Sequence, residues 1–252
     1  MIVYRKNLLR IAEYWNGEAP KVAGVDLVRC FQQPQPREGM LCREFYTILL
    51  DLNRDPQQLL SDFNRDTRYE IRRAADQDQL TYDFQNGRDQ KVFRQFCDYY
   101  DDFAAQTAQP KINRGWLSLL AGAGALDLSQ VSDSTSRTLV WHAYHRSNHR
   151  ATLLYSASLF RKFASSALRN KFGRANRLQH WQDIQRFKAE GVSVYDFGGW
   201  YEGDRDQERL RINKFKEEFG GEIVKNYICE RALTAKAKVF LRVRRLLLGD
   251  AI

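Results

Sequence analysis

The chain has 252 residues, 43% hydrophobic and 28% charged, the balance of an ordinary globular protein with apolar mass for one large core. Forty Lys and Arg against thirty-one Asp and Glu leave a formal charge of +9, which favours polyanionic partners without choosing among nucleotide, tRNA and an anionic membrane. No stretch approaches the ~20 apolar residues of a membrane span, and Met1-Ile-Val-Tyr-Arg-Lys6 has no apolar run behind it, so neither a span nor a signal peptide is expected. Cys30, Cys42, Cys97 and Cys229 are widely spaced and include no Cys-x-x-Cys pair, which reads as four reduced, mostly buried thiols in a cytoplasmic protein.

In chain order, the two prolines between Gln32 and Gly39 mark a loop. Phe45 to Asp51 is a short apolar run rich in β-formers, a buried strand. Asp55-Pro56 then opens a helix, Asp as N-cap and Pro in the first turn, with Leu60, Phe63, Thr67, Ile71 and Ala74 on one face and Arg65, Arg68, Arg72 and Arg73 off it. Leu80 to Phe84 alternates as a strand, Lys91 to Ala105 returns to helix, and a helix around Trp116 to Leu120 ends at Gly122-Ala-Gly124. Thr138 to Tyr144 and Ala151 to Ser158 read as an antiparallel hairpin with Arg146-Ser147-Asn148 at its tip.

From Asn176, the set Leu178, Trp181, Ile184 and Phe187 marks a helix closed by Gly191. Val192 to Phe197 is a strand, Gln207 to Glu217 a helix, Glu222 to Ile228 a strand and Ala235 to Leu247 a last helix. Strands alternate with helices but include a hairpin, so a mixed sheet flanked by helices is predicted, in one domain over 1–252 with no visible linker.

Two strings carry chemistry. Tyr195-Asp196-Phe197-Gly198-Gly199 ends a strand in a carboxylate and two residues without side chains, the place where ligands sit in open α/β sheets. About twenty residues on comes Lys214-Phe215-Lys216-Glu217-Glu218-Phe219-Gly220-Gly221-Glu222. The ordered pair resembles the C-terminal half of FemA/FemB-like aminoacyltransferases, members of the GNAT superfamily, whose pattern reads Tyr-Asp-(Phe/Leu)-Gly-Gly, a loop, then Phe-Lys-x-x-Phe-Gly-Gly-Glu. Thr47 to Leu52, Tyr69 to Ala74 and Gly173 to Gly191 extend the resemblance, which is strongest over 45–230.

The resemblance implies a GNAT-like acyltransferase fold and transfer of an acetyl or aminoacyl group to an amine or hydroxyl of a nucleotide- or lipid-linked envelope glycan precursor. Peptidoglycan-bridge members carry two such domains and use aminoacyl-tRNA; small single-domain relatives are the nearer likeness. The stretch Asn170-Lys171-Phe172-Gly173-Arg174-Ala175, with Asn176, echoes the GNAT pyrophosphate loop (Gln/Arg)-x-x-Gly-x-(Gly/Ala). A glycine loop entering a helix aims N–H groups at an anion, which favours acyl-CoA as donor, with aminoacyl-tRNA as the alternative.

Asp196 is the candidate for orienting the acceptor or taking its proton, and a turn-capping carboxylate is its plain alternative. By the resemblance, Lys216 stabilises developing negative charge. His142 and His145, three apart on a strand, point to opposite faces, so at most one serves the site as a base; His142 is the candidate. Gly198, Gly199, Trp200, Tyr201 and Lys214 are expected to contact the substrate, and no His, Cys or carboxylate spacing calls for a metal.

The last twenty-two residues hold Arg231, Lys236, Lys238, Arg242, Arg244 and Arg245 against Asp250 alone. Lys238, Arg242 and Arg245 form a basic stripe beside an apolar one of Val239, Val243 and Leu246. Such a helix either docks on the anionic inner membrane face or packs its apolar stripe on the sheet. A basic GNAT-like scaffold without catalysis is the remaining reading of the whole chain.

Overall fold

The computed structural model describes residues 1–15, 17, 22–107 and 109–248. In chain order it runs β1 (Ile2–Lys6), β2 (Leu9–Trp15), β3 (Leu27–Gln33), β4 (Leu41–Asp51), α1 (Pro56–Asp62), α2 (Arg65–Asp76), β5 (Thr81–Asn86), α3 (Gln90–Thr107) and α4 (Arg114–Gly122). There follow β6 (Leu126–Ser132), β7 (Thr138–Arg146), β8 (Arg150–Ser158), α5 (Ser166–Ala189), β9 (Val194–Trp200), α6 (Gln207–Glu217), β10 (Glu222–Ala232) and α7 (Ala235–Leu248). The chain forms two compact units, Met1–Thr47 with Ile223–Ile252, and Ile48–Glu222. Among the described residues no helix is long and apolar enough to cross a membrane.

In the first unit β2 pairs antiparallel with β1 and parallel with β3, and β10 runs antiparallel to β3 with Cys229 opposite Cys30. Leu9, Ile11 and Leu27 on these strands pack under Ala237 and Leu241 of α7. Cys42 and Cys229 form a disulfide, while Cys30 and Cys97 are free and buried. The expectation of four reduced thiols is thus corrected for two of them. A separation of 187 residues gives no sequence cue that the sheet brings this pair together.

The second unit holds the larger core. Its strands lie in the order β9-β8-β7-β6-β5, with β8 and β9 parallel and the remaining neighbours antiparallel, so the sheet is mixed. On one face, Ile71 and Ala74 of α2 and Leu178, Trp181, Ile184 and Phe187 of α5 pack with Tyr144, Tyr195 and Phe197 from the strands. On the other, Phe96 of α3 lies 5.8 Å from Trp141 and 6.4 Å from Tyr155, ring to ring. Period-2 alternation along β7 therefore sends Trp141 toward α3 and His142 toward α5.

Several expectations need correction. The helix predicted from Asp55 is two: Phe63 turns extended, and Asn64 starts α2 by accepting the Thr67 N–H at 2.7 Å. Strands β1, β2, β3 and β6 were not foreseen. α5 begins ten residues before Asn176, because Ser165 caps it through the Leu168 N–H. Residues Asn170 to Asn176 are consequently helix and not a loop, and their N–H groups lie beyond the first turn that could face an anion. Gly198 and Gly199 sit inside β9, not after it.

Gly173 illustrates the point. A Cβ there would meet only Arg177 Nη1, at 3.7 Å, an ordinary contact. Gly173→Ala should raise stability by about 0.5–1 kcal/mol, the helix-interior difference between the two residues. Asn64→Ala should lower it by about 1 kcal/mol through loss of the cap. Denaturant midpoints of the two variants check both signs; a destabilised Gly173→Ala would mean that the backbone there is not plain helix.

Candidate active site

The site grows from a bend in β9 at Gly198. Asp196 lies opposite Thr152 at the end of the β8–β9 pairing. Two residues on, Gly198 adopts φ +71° and passes so close to β8 that a Cβ would stand 2.6 Å from the Leu153 carbonyl oxygen. Only glycine fits that approach. The Gly198 N–H donates to Asp196 Oδ1 at 2.8 Å, and Arg150 donates from Nε and Nη2 to Oδ2 at 2.9 and 2.7 Å. Asp196 is buried and outside the walls of the neighbouring cavity. It is a clamp that ties the bend of β9 to β8.

Lys216, in the last turn of α6, reaches back to the same bend. Its Nζ donates to the carbonyls of Gly198 at 3.3 Å and Gly199 at 2.5 Å, accounting for two of the three ammonium donors. Burial pushes its pKa from 10.5 down to about 8, against the pull of the Asp196 carboxylate. Lys216 forms part of the wall of a cavity of about 390 Å³ with Asn176, His180, Arg161, Arg211 and Glu208, and with Leu153, Phe160 and Phe215 as its apolar side. Arg161 Nη2 donates to Glu208 Oε1 at 2.7 Å on this wall.

Behind the wall runs a buried polar chain. The Asp183 side chain is fully enclosed and takes three donors: Tyr82 OH on Oδ1 at 2.8 Å, and Tyr144 OH and His142 Nδ1 on Oδ2 at 2.6 and 2.9 Å. Tyr144 OH lies 2.7 Å from Tyr195 OH, which lies 2.6 Å from His180 Nδ1. A carboxylate only accepts, so Tyr144 spends its single proton on Asp183 and its oxygen must accept from Tyr195. Tyr195 then accepts from His180. The direction of the chain therefore places the His180 proton on Nδ1 and leaves Nε2 with the lone pair. Burial holds the His180 pKa well below the usual imidazole value, so the ring is neutral.

Of the sequence candidates, Lys216 and Asn176 reach the cavity wall. His142 is wholly buried one layer back, bonded to Asp183, Tyr144 and, at 2.9 Å, Asn176 Oδ1. Arg174 is committed to Asp78 through Nε at 2.6 Å and Nη2 at 3.1 Å, and Ala175 packs in a core cluster with Phe172. Asn170 is exposed and Lys171 half-buried on the same helix. Trp200 packs against the core; Tyr201 is fixed to α6 by Asn213, whose Oδ1 accepts its N–H at 3.0 Å; Lys214 is exposed. None of these last three is on the cavity wall.

Of the arginines off the α2 stripe, Arg68 Nη1 donates to the Ser61 and Phe63 carbonyls at the end of α1, while Arg65 and Arg72 are exposed. His180 and Asp183 were missed. Their signal was present: Asn176, His180 and Asp183 recur at i, i+4 and i+7, a polar stripe within a helix that is otherwise read by its apolar set.

No family model matches the chain and no curated protein matches it in sequence. Solved structures do match in fold. A FemX structure aligns with TM-score 0.61 at 14% identity, over 78% of this chain and 63% of FemX. The C-terminal DUF2156 domain of a protein assigned as a lysylphosphatidylglycerol synthetase from Agrobacterium fabrum aligns with 0.56 at 12% identity, over 91% and 75%. L-PGS from Bacillus licheniformis gives 0.52 at 11%, over 87% and 72%. At these identities the likeness is one of fold, a mixed α/β architecture with a central sheet flanked by helices. This chain spans less than two thirds of FemX.

The depressed Lys216 pKa has a consequence for stability. Between about pH 8 and pH 10.5 the unfolded chain holds a proton at this residue that the folded chain has released. Stability should therefore gain a positive pH slope in that window. Lys216→Met should abolish that part of the slope, whatever it does to the absolute value. Equal slopes for parent and variant in urea unfolding at pH 8, 9 and 10 would show that Lys216 is solvated.

Proposed function

We propose that the chain is an acyltransferase that moves an acetyl or aminoacyl group from a phosphate-bearing carrier to an amine within the 390 Å³ cavity. The observation that carries this reading is the convergence on one wall of a buried ammonium, Lys216, and a neutral imidazole, His180, each held by its own network. Acyl transfer asks for such a pair: a positive group where oxyanion charge develops and a lone pair where the attacking amine loses its proton.

In this reading the amine lone pair forms the new C–N bond at the acyl carbon, and the carbonyl electrons move onto oxygen. The remaining Lys216 donor meets that oxygen. His180 Nε2 takes the amine proton, and the positive ring is opposed by Asp183 through Tyr195 and Tyr144. Collapse of the intermediate breaks the bond to the carrier, and the proton passes from His180 to the departing thiolate or alkoxide. The weak basicity of a buried imidazole favours this hand-over. Asp196 acts as a positioning residue, fixing the Gly198–Gly199 bend from which Lys216 hangs.

The acceptor is a primary amine on an amino sugar, or a similar amine, of a nucleotide- or lipid-linked envelope precursor. Arg161 and Arg211 on the cavity wall support a phosphate-bearing ligand. The donor is acyl-CoA or aminoacyl-tRNA. The helical state of Asn170 to Asn176 removes the loop that favoured CoA. A similar fold in the C-terminal domain of a protein assigned, by name, as a lysylphosphatidylglycerol synthetase supports an aminoacyl group.

The test is transfer of a labelled acyl group to a UDP-linked amino sugar, run in parallel with acetyl-CoA and with a mixture of aminoacyl-tRNAs. One donor should give product. Lys216→Met and His180→Gln should each lower turnover by on the order of 10²-fold or more with the fold intact. Activity should also fall as pH rises through about 8, where Lys216 loses its charge. Full turnover by both variants would remove the two residues from the reaction. No product from either donor, with a set of amine acceptors that includes aminolipids, would sink the acyl-transfer reading.

A further inference from the structure

α7 is held to its own unit by one face only. Ala237 and Leu241 are buried, and Phe240 partly so, against Leu9, Ile11 and Leu27. Arg244, on the same side, is bound through both terminal nitrogens to Glu230, which also takes Arg29 Nε at 2.8 Å. The inward side is complete, with its apolar residues packed and its charge paired.

The stripe formed by Val239, Val243 and Leu246 therefore does not pack on the sheet. These side chains are 58%, 47% and 85% exposed. They recur at i, i+4 and i+7 and form a second apolar ridge along the helix, on the side away from Ala237 and Leu241. Lys238, Arg242 and Arg245, all exposed, run along one flank of that ridge. On the other flank Lys236 is paired with Asp26 Oδ2 at 2.9 Å and donates from Nζ to the carbonyl of Leu8, whose own side chain is exposed on the β1–β2 turn. A solvent-facing helix side needs no leucine and two valines in register. An apolar crest bordered by long cationic side chains is the pattern of a helix lying in a lipid interface, its crest among acyl chains and its cations at the phosphates.

We propose that the outer face of α7 docks the protein on the surface of an anionic phospholipid bilayer. The basic flank supplies long-range attraction to acidic headgroups and the crest supplies insertion. Neither alone gives firm binding, so attachment is reversible and sensitive to salt. The proposal stands apart from the acyl-transfer reading, because its readout requires no turnover.

The test is co-sedimentation of the full chain with vesicles of phosphatidylcholine alone and of phosphatidylcholine with phosphatidylglycerol. Two triple variants accompany it: Val239→Ser with Val243→Ser and Leu246→Ser, and Lys238→Gln with Arg242→Gln and Arg245→Gln. All six positions are exposed, so both proteins should keep the parent melting temperature, which is measured alongside. The parent should pellet with the anionic vesicles only and lose binding in high salt. The basic variant should partition on the order of 10²-fold more weakly, and the apolar variant should bind weakly at any salt.

Failure of the parent to pellet with anionic vesicles overturns the proposal, as does binding that neither variant reduces. Binding lost in the basic variant but kept in the apolar one also overturns it, because the crest then takes no part and the contact is one of charge alone. Dimerisation of the parent in analytical ultracentrifugation, abolished by the serine substitutions and accompanied by no lipid binding, assigns the ridge to a second copy of this chain.

Discussion

The geometry of the second unit depends on one buried carboxylate. Asp183 sits in the C-terminal third of a 24-residue helix with no exposed surface, and it persists there because Tyr82, Tyr144 and His142 supply three donors to its two oxygens. An ionised carboxylate in such a place is tolerated only when its hydrogen bonds are complete. The same requirement fixes the proton order outward along Tyr144 and Tyr195 to His180. One acceptor-only group thus gives direction to a chain that would otherwise have two equivalent settings. Neighbouring rings reinforce it: His180 lies among Phe197, Phe215 and Phe219, with ring centroids 5.1 to 5.6 Å away, which keeps water from the ring.

A second constraint meets the first at the cavity wall. Gly198 has to lack a side chain because β8 passes 2.6 Å from where its Cβ would be, and its backbone bends for that reason. The bend turns the Gly198 and Gly199 carbonyls toward α6, where Lys216 receives them. Asp196 holds the bend from the other side through Arg150. The two glycines are therefore hardware for placing an ammonium, and the aspartate between strand and bend acts on that placement.

Much of this unit was legible in the sequence, and the parts that were not have physical reasons. Apolar content and spacing located α3, the β7–β8 hairpin, β9 and α6. They failed at β6, Leu-Asp-Leu-Ser-Gln-Val-Ser, whose polar residues are themselves buried: Asp127 and Ser129 are shielded, and Ser129 accepts from Gln179 at 2.9 Å. On α5 they located the helix from Asn176 to the Gly191 stop and missed the ten residues before Asn176; they passed over Asn176, His180 and Asp183 because these belong to the polar network. Gly198, read as a place where a ligand approaches the backbone, is approached instead by the Leu153 carbonyl of β8, and Gly199 has open space where its Cβ would be. Their partner, Lys216, came only from resemblance, because a helix lysine looks solvated until the bend of β9 is known. The Cys42–Cys229 pairing and the outward ridge of α7 depend on tertiary placement that no local pattern carries.

The central claim is that Asp183 sets the proton order and leaves His180 as a neutral ring with its lone pair on Nε2. Nitrogen-15 spectroscopy of histidine-labelled protein, with His180 assigned by substitution, reads this directly. The account predicts a protonated Nδ1, an unprotonated Nε2 and no titration of His180 near its ordinary value of 6.5. Replacing Asp183 with Asn should blur the two tautomers. A proton on Nε2 in the parent, or a ring that titrates near 6.5, would contradict the account.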